Sequence, residues 1–145
     1  GRTDPAMAAA TARAFAPTSE RWAETIAQGT AFAETVTALG GPEVTPAALP
    51  VAVGAAAQRL RALDNATVVA HYLQAALAAQ VSAAVRFVPL GQTDGQRILA
   101  ELAPDVQQAA AAAVDATLAD LGSAAIHADL SAAEHETLEV RIFRS

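Results

Sequence analysis

The sequence predicts an all-α protein, a compact bundle of about five to six helices. Of its 145 residues 41 are alanine, the residue with the highest intrinsic helix propensity. Apolar residues recur at helical spacing between proline and glycine stops. Because alanine buries little area, the 36 larger apolar residues must form most of the core. We therefore expect closely packed helices, part of whose packing is completed by another protein.

The composition argues against several classes of function. Cysteine is absent, which excludes a disulfide framework, a thiolate metal site and a cysteine nucleophile. The net charge of −6 argues against a nucleic-acid surface, which needs a basic stripe. All nine basic residues are arginine, so every basic contact must use arginine. No run of about 18 apolar residues is found, so we predict no membrane-spanning helix.

The N-terminal segment differs from the rest of the sequence. Residues 1–7 (GRTDPAM) lack periodicity and resemble an expression leader. Residues 8–16 are of low complexity and are expected to be frayed. The sequence therefore predicts a leader and frayed segment over 1–16 and one all-α domain over 17–145.

Two helices have clear local start and stop signals. The first follows Pro17-Thr18-Ser19-Glu20, where a hydroxyl cap precedes an acidic first turn, and it stops at Gly40-Gly41-Pro42. A later helix is capped by Asp64 or Asn65 and ends before Pro89. Apolar residues cover most of the later helix, which predicts that it is the central buried one.

The helix between these two is predicted from its prolines. Thr45 is its expected cap, with Pro46 at the first helical position. Pro50 then falls near the first turn, where its missing donor costs little. Gly54 lies inside this helix, and we expect a neighbouring backbone to approach closely there.

Proline also divides the C-terminal half. Thr93 or Asp94 is predicted to cap a fourth helix, and Pro104 begins a fifth that runs to Leu121 before Gly122.

A short last helix, near residues 132–140, is expected to be capped by Asp129 or Ser131. The tail 141–145 (RIFRS) has two interpretations. It is a disordered terminus, or Ile142 and Phe143 between two arginines form an amphipathic anchor that docks on a partner.

The sequence contains no recognisable catalytic, cofactor or metal motif. The turn Gly91–Gly95 lacks the lysine and the spacing of a phosphate loop and is interpreted as a helix connector. His71 is interpreted as a capping or core histidine. His127 and His135 are eight positions apart, which is not a metal-ligand spacing. Next to Glu134 and Glu136, His135 is a weak surface metal ligand or, more simply, part of a polar helix face.

Arg86 stands out because it ends a strongly apolar helix. It either complements the helix dipole and its last carbonyls, or it is presented at a protein interface, where arginine is enriched. The residues alone leave both alternatives open.

Two motifs resemble one known family. The stretch Val85–Arg97 (VRFVPLGQTDGQR), and the ending His135-Glu136-Thr137 followed by Arg141–Ser145, are similar to the signature segments of UreF, the urease accessory family. The segments Pro50–Gly54 and Gln28–Phe32 fit the family less specifically. The resemblance spans about Pro17–Ser145 and corresponds to the C-terminal two-thirds of UreF, without the family's N-terminal region.

The resemblance implies a function that composition does not. UreF-like proteins are cytoplasmic, all-α, dimeric and non-enzymatic, and they need no cofactor. They bridge UreD (also called UreH) and the GTPase UreG, which delivers nickel to apo-urease. The implied partner-binding residues are Arg86, Gln92, His135, Glu136, Arg141, Phe143 and Arg144, with Arg141 recruiting UreG. Regulation of the GTPase, as opposed to pure scaffolding, is left open, as is weak nickel binding by His127 or His135.

Two other classes of function remain. A generic helical protein-interaction module should show heptads sustained over several turns. A helical ligand-binding domain requires a pocket with convergent polar groups.

Overall fold

The computed structural model describes residues 4–60 and 62–139, and every regular element within them is helical. This confirms the prediction of an all-α protein with about five to six helices. The elements are α1 (Pro5–Ala14), α2 (Ser19–Ala38), α3 (Leu49–Ala57), α4 (Asn65–Phe87), α5 (Gln92–Ala113), a 3-10 turn (Leu118–Asp120) and α6 (Ile126–His135). The chain divides into two compact units, the first made of Gly1–Leu60 with Leu118–Ser145 and the second of Arg61–Thr117.

The first unit begins with a helix where the sequence predicted a frayed segment. The Asp4 carboxylate accepts a hydrogen bond from the Ala6 amide at 3.0 Å, and Pro5 occupies the first turn. This acid-proline pair is itself a helix-start signal. The helix packs on α3, and the Arg13 guanidinium lies 5.2 Å from the centroid of the Trp22 ring. The structure thus places residues 5–14 in a helix that contacts α3, and fraying of residues 8–16 stays a prediction.

Helix α2 begins and ends where the sequence predicted. The hydroxyl of Thr18 accepts a hydrogen bond from the Arg21 amide at 3.2 Å, which satisfies one of the free donors of the first turn. The helix is followed by Gly40, whose φ of 77° is the left-handed conformation that favours glycine.

Helix α3 starts later than predicted, at Leu49. Thr45 is therefore not its cap, and Pro46 is not its first residue. The segment before Leu49 is non-helical and packs against α2, with Val44 and Ala48 buried. The Leu49 amide donates to the Thr25 hydroxyl at 3.2 Å, so a side chain of α2 caps α3. Pro50 lies in the first turn, as predicted.

The close backbone approach in this unit occurs at Gly29, not at Gly54. A Cβ atom at Gly29 would lie 1.8 Å from the carbonyl oxygen of Ala47, whereas one at Gly54 would meet no described atom within 4 Å. Glycine is required at Gly29 because the chain crosses α2 in direct backbone contact there.

The second unit is a hairpin of α4 and α5. Asp64 caps α4 as predicted, accepting from the Thr67 amide and hydroxyl, both at 2.8 Å. Between the helices Ala70 packs with Val106 and Ala110, and partly buried side chains surround this cluster. Small side chains at the contact allow a close approach of the two helices.

The prediction that α4 is the central buried helix was wrong. Ala70 is its only buried residue within the described part of the chain. Length and composition alone make α4 apolar enough to cross a membrane, with a mean hydropathy of 1.4. The sequence has no unbroken apolar run of that length because polar residues such as His71 and Gln74 interrupt α4, while alanine and valine keep its mean hydropathy high.

Helix α5 is continuous through Pro104, so the predicted division into two helices was wrong. Proline removes one helical donor and crowds the preceding turn. Here it lies on the exposed side, while Leu99, Val106 and Ala110 are buried on either side of it in sequence. The packing of α5 therefore outweighs the tendency of Pro104 to break the helix. The helix is also capped at Gly91, not at Thr93 or Asp94, and it ends at Ala113, not at Leu121.

Helix α6 begins at Ile126, six residues before the predicted start, and ends at His135. Asp129 and Ser131, the predicted caps, lie inside it. The tail 141–145 is outside the described residues.

Candidate functional site

Two of the predicted partner-binding residues, His135 and Glu136, contact the N-terminus of α2. The Ser19 hydroxyl donates to Oε1 of Glu136 at 2.7 Å, and the Glu20 amide donates to the same oxygen at 2.8 Å. Nδ1 of His135 lies 2.8 Å from Oε2 of Glu20. We call Ser19, Glu20, His135 and Glu136 the terminal latch, because it joins the end of α6 to the start of α2.

The charges of the terminal latch suit both helix ends. An N-terminus carries a partial positive charge and free amide donors, which favour the Glu136 carboxylate. A C-terminus favours a basic side chain, and His135 is the basic residue in the last turn of α6. The Thr18 hydroxyl accepts a hydrogen bond from the Arg21 amide, while Glu136 accepts one from the Glu20 amide. The two caps of α2 therefore do not compete for the same donor.

Hydrogen bonding keeps Glu136 ionised. The bond from the Ser19 hydroxyl, followed by the one from the Glu20 amide, lowers the pKa of the Glu136 carboxyl below its ordinary value of 4.5. The facing pair is partly shielded from water, with the His135 side chain 34% exposed and that of Glu20 19% exposed. The latch is thus a polar contact at the surface of the first unit.

Sequence reasoning missed the Ser19 and Glu20 side of this contact. Ser19 and Glu20 were interpreted only as parts of a local helix start. The partners lie 115 to 117 positions apart, and no local pattern reports a contact at that separation. The sequence offered one chemical signal. Glu136 carries a carboxylate, and a carboxylate suits a helix N-terminus.

The remaining predicted residues lie elsewhere. Arg86 is in the last turn of α4 and Gln92 is the first residue of α5, both exposed and both in the second unit. Arg86 is placed to complement the helix dipole, and Phe87 and Val88 beside it are 55% and 56% exposed. Both interpretations of Arg86 therefore fit its position. Arg141, Phe143 and Arg144 lie outside the described residues.

The first unit also contains an apolar cavity of about 730 Å³ between α1, α3 and residues 118–122. Its described lining includes three polar side chains: Asp4, Thr11 and Gln58. Asp4 accepts from the Ala6 amide, and the Thr11 hydroxyl donates to the Met7 carbonyl. The other described lining residues are apolar or glycine, so the cavity offers a ligand few polar groups.

The possible metal ligands in the described part of the chain are scattered. No three His, Asp or Glu side chains come together there in a way that could hold a metal ion. His127 is exposed on α6, and His135 faces Glu20.

Comparison with known proteins gives a consistent result. A family model described as UreF matches residues 3–103, more than half of the chain. The match contains Arg86 and Gln92, and it begins inside the segment that the sequence analysis set aside as a leader.

Three similar relatives are each named urease accessory protein UreF. One from Cereibacter sphaeroides is 54% identical over 142 residues, 98% of this chain and 67% of its own length. Those from Jannaschia sp. and Paracoccus denitrificans are 52% and 53% identical over 134 residues, 92% of this chain and 60% and 62% of their own lengths. The chain thus spans about three-fifths to two-thirds of these relatives. The extent of the family match and the level of identity show that this chain belongs to the UreF family of urease accessory proteins.

Proposed function

We propose that this chain is a non-enzymatic scaffold in urease maturation. It binds UreD and UreG, and through them apo-urease, and so promotes the GTP-dependent insertion of nickel. The observation that supports this most is 54% identity to a urease accessory protein over nearly the whole chain. In this proposal the protein works in the cytoplasm as a homodimer, without a membrane or nucleic-acid partner.

The exposed end of the α4–α5 hairpin supports a role in protein binding. Arg86 is followed by two exposed apolar residues, Phe87 and Val88, and Gln92 opens the next helix. Arginine and aromatic residues are enriched at the centre of protein interfaces. We assign this end of the hairpin to a partner contact.

The tail supplies the second contact. Arg141 and Arg144 are the basic residues closest to the C-terminus, and in the proposal they pair with carboxylates of UreG. UreD holds the tail in place. Fixing a backbone costs roughly 1–2 kcal/mol per residue, and burial of Ile142 and Phe143 offsets that cost.

Replacement of Arg141 tests the proposal. Arg141→Ala should leave UreD binding intact and weaken UreG recruitment at least about tenfold, the loss expected for an interface arginine. The measurement is co-purification and titration of tagged chain with UreD and UreG. Arg59→Ala, which changes an exposed arginine after α3, is the matched control and should change neither.

Two outcomes distinguish an error in the role of Arg141 from an error in the proposed scaffold function. If Arg141→Ala recruits UreG as well as the unmodified chain, the role of Arg141 is wrong. If the unmodified chain binds neither UreD nor UreG, the scaffold function is wrong.

A further inference from the structure

We propose that the terminal latch is a positioning device for UreG recruitment, which fixes the point at which the C-terminal tail leaves the first unit. In this proposal His135 and Glu136 affect UreG binding indirectly. Their contacts with Ser19 and Glu20 fix the point from which the tail starts. This inference rests on the proposed scaffold function and assigns a role to two residues near the start of α2.

The geometry of the latch fixes both position and direction. Oε1 of Glu136 receives two donors, at 2.7 and 2.8 Å, and the neighbouring residue His135 contacts Glu20 at 2.8 Å. Because His135 and Glu136 are both bonded to the start of α2, the chain has little freedom to rotate at Glu136. The atoms of His135 and Glu136 that make these bonds are engaged inside the unit.

The tail is short enough for this anchor to matter. Five residue steps separate Glu136 from Arg141, and five residues span at most about 18 Å. While Glu136 is held, the length of the chain alone sets the greatest distance of Arg141 from the start of α2. The effective concentration of a tethered group falls as its tether lengthens, so opening the latch weakens recruitment without removing any contact to UreG.

Opening the latch should leave the unit folded. Its four residues lie outside the buried cluster of Ala33, Val44, Ala52 and Ala56, which holds α2 and α3 together. Thr18 also keeps its own bond to the Arg21 amide. Variants of the latch are therefore informative about position and do not simply report unfolding.

The first experiment is a double-mutant cycle on UreG binding to the UreD-bound chain. Ser19→Ala removes one of the two hydrogen bonds to Glu136 and Glu136→Ala removes both, so each should weaken UreG binding by roughly three- to tenfold, and the double variant should be no weaker than Glu136→Ala alone. UreD binding should not change. Ser19→Thr keeps the hydroxyl and should restore binding. Ser131→Ala, an exposed serine of α6, is the matched control.

The second experiment measures position directly and needs no partner. Because the sequence has no cysteine, spin labels can be attached at Ala38→Cys and Glu139→Cys only. Ala38 lies about 28 Å along α2 from Ser19, at 1.5 Å per residue. We expect one narrow distance distribution in the otherwise unmodified chain and a broadened one with Ser19→Ala.

The outcomes are distinct. Unchanged UreG binding by Ser19→Ala, while the unmodified chain still recruits UreG, overturns the latch inference and leaves the scaffold function standing. Additive losses in the double variant overturn it as well. If the unmodified chain does not bind UreG, the scaffold function fails, and equal distance distributions with and without Ser19→Ala then overturn the latch independently.

Discussion

The contacts inside the two units of this protein differ in kind. The first has a buried apolar cluster between α2 and α3, and it adds polar contacts between distant residues, such as Ser19 with Glu136 and Thr25 with Leu49. The second is a helical hairpin whose contacts are apolar, with Ala70 of α4 against Ala110 of α5. The first unit therefore adds specific hydrogen bonds to its apolar packing, whereas the second relies on the packing of small side chains.

Helix capping shows the same contrast. Asp64 caps α4 from three residues away, and Glu136 caps α2 from more than a hundred. The chemistry is identical, a carboxylate at a helix N-terminus. The local cap forms with the helix itself, while the distant one requires the rest of the first unit to be folded. Because of this dependence, the distant cap is suited to fixing the direction in which the chain continues after Glu136.

The largest expected effect is at the backbone crossing of the first unit. In Gly29→Ala the new Cβ would lie 1.8 Å from the Ala47 carbonyl oxygen, so the backbone must shift. Overpacking of this kind costs about 1–3 kcal/mol, occasionally more, and we expect at least the upper end because the clash is with backbone. Urea unfolding followed by circular dichroism measures the loss.

Gly54→Ala is the matched control for that substitution. It also lies in a helix of the first unit, and its new Cβ would meet no described atom within 4 Å. The gain in helix propensity should stabilise the protein by about 1 kcal/mol. Equal effects of the two substitutions would show that the crossing at Gly29 is absent.

A smaller effect is expected at the corresponding glycine of the second unit. In Gly95→Ala the new Cβ would lie 3.0 Å from methyl groups of Val81 and Val85, and side chains yield more easily than backbone. Overpacking and helix propensity oppose each other, so we expect a net loss of about 1 kcal/mol in urea unfolding. Val85→Ala in the same chain should recover part of it. A loss of unfolding free energy as large as that of Gly29→Ala would mean that the α4–α5 hairpin yields no more easily than the backbone contact at Gly29.

The smallest effect is acid sensitivity, which both units share. Hydrogen bonds from Ser19 lower the pKa of Glu136, and those from Thr67 lower the pKa of Asp64. A lowered carboxyl pKa contributes stability above the ordinary value, 4.5 for Glu136 and 3.8 for Asp64, and that contribution is lost as the pH falls through the folded-state pKa. Glu136→Gln should flatten the dependence of the urea midpoint on pH below about 4.5, and Asp64→Asn below about 3.8. A midpoint whose pH dependence both variants leave unchanged would contradict these assignments.

Local signals in the sequence predicted local structure well. The caps Thr18 and Asp64 and the first-turn position of Pro50 were all predicted, because each depends only on neighbouring residues. The start of α3 was predicted wrongly because Thr25 of another helix supplies its cap. The break at Pro104 was predicted wrongly because packing against α4 supports α5 on both sides of the proline.

The candidate site shows the same limit. A family resemblance selected His135 and Glu136 as partner-binding residues, and that role stays a prediction. Their contacts with Ser19 and Glu20 could not be predicted from spacing, because folding alone brings the two ends of the first unit together.

The alanine-rich interior has a thermal consequence. Of the nine buried apolar residues in the described chain, six are alanine, so unfolding exposes little apolar area for each residue released. The heat capacity of unfolding grows with that area, by about 0.45 cal/mol/K per Å². A small heat-capacity increment flattens the curve of stability against temperature. The free energy of unfolding of this protein should therefore change little over a wide temperature range.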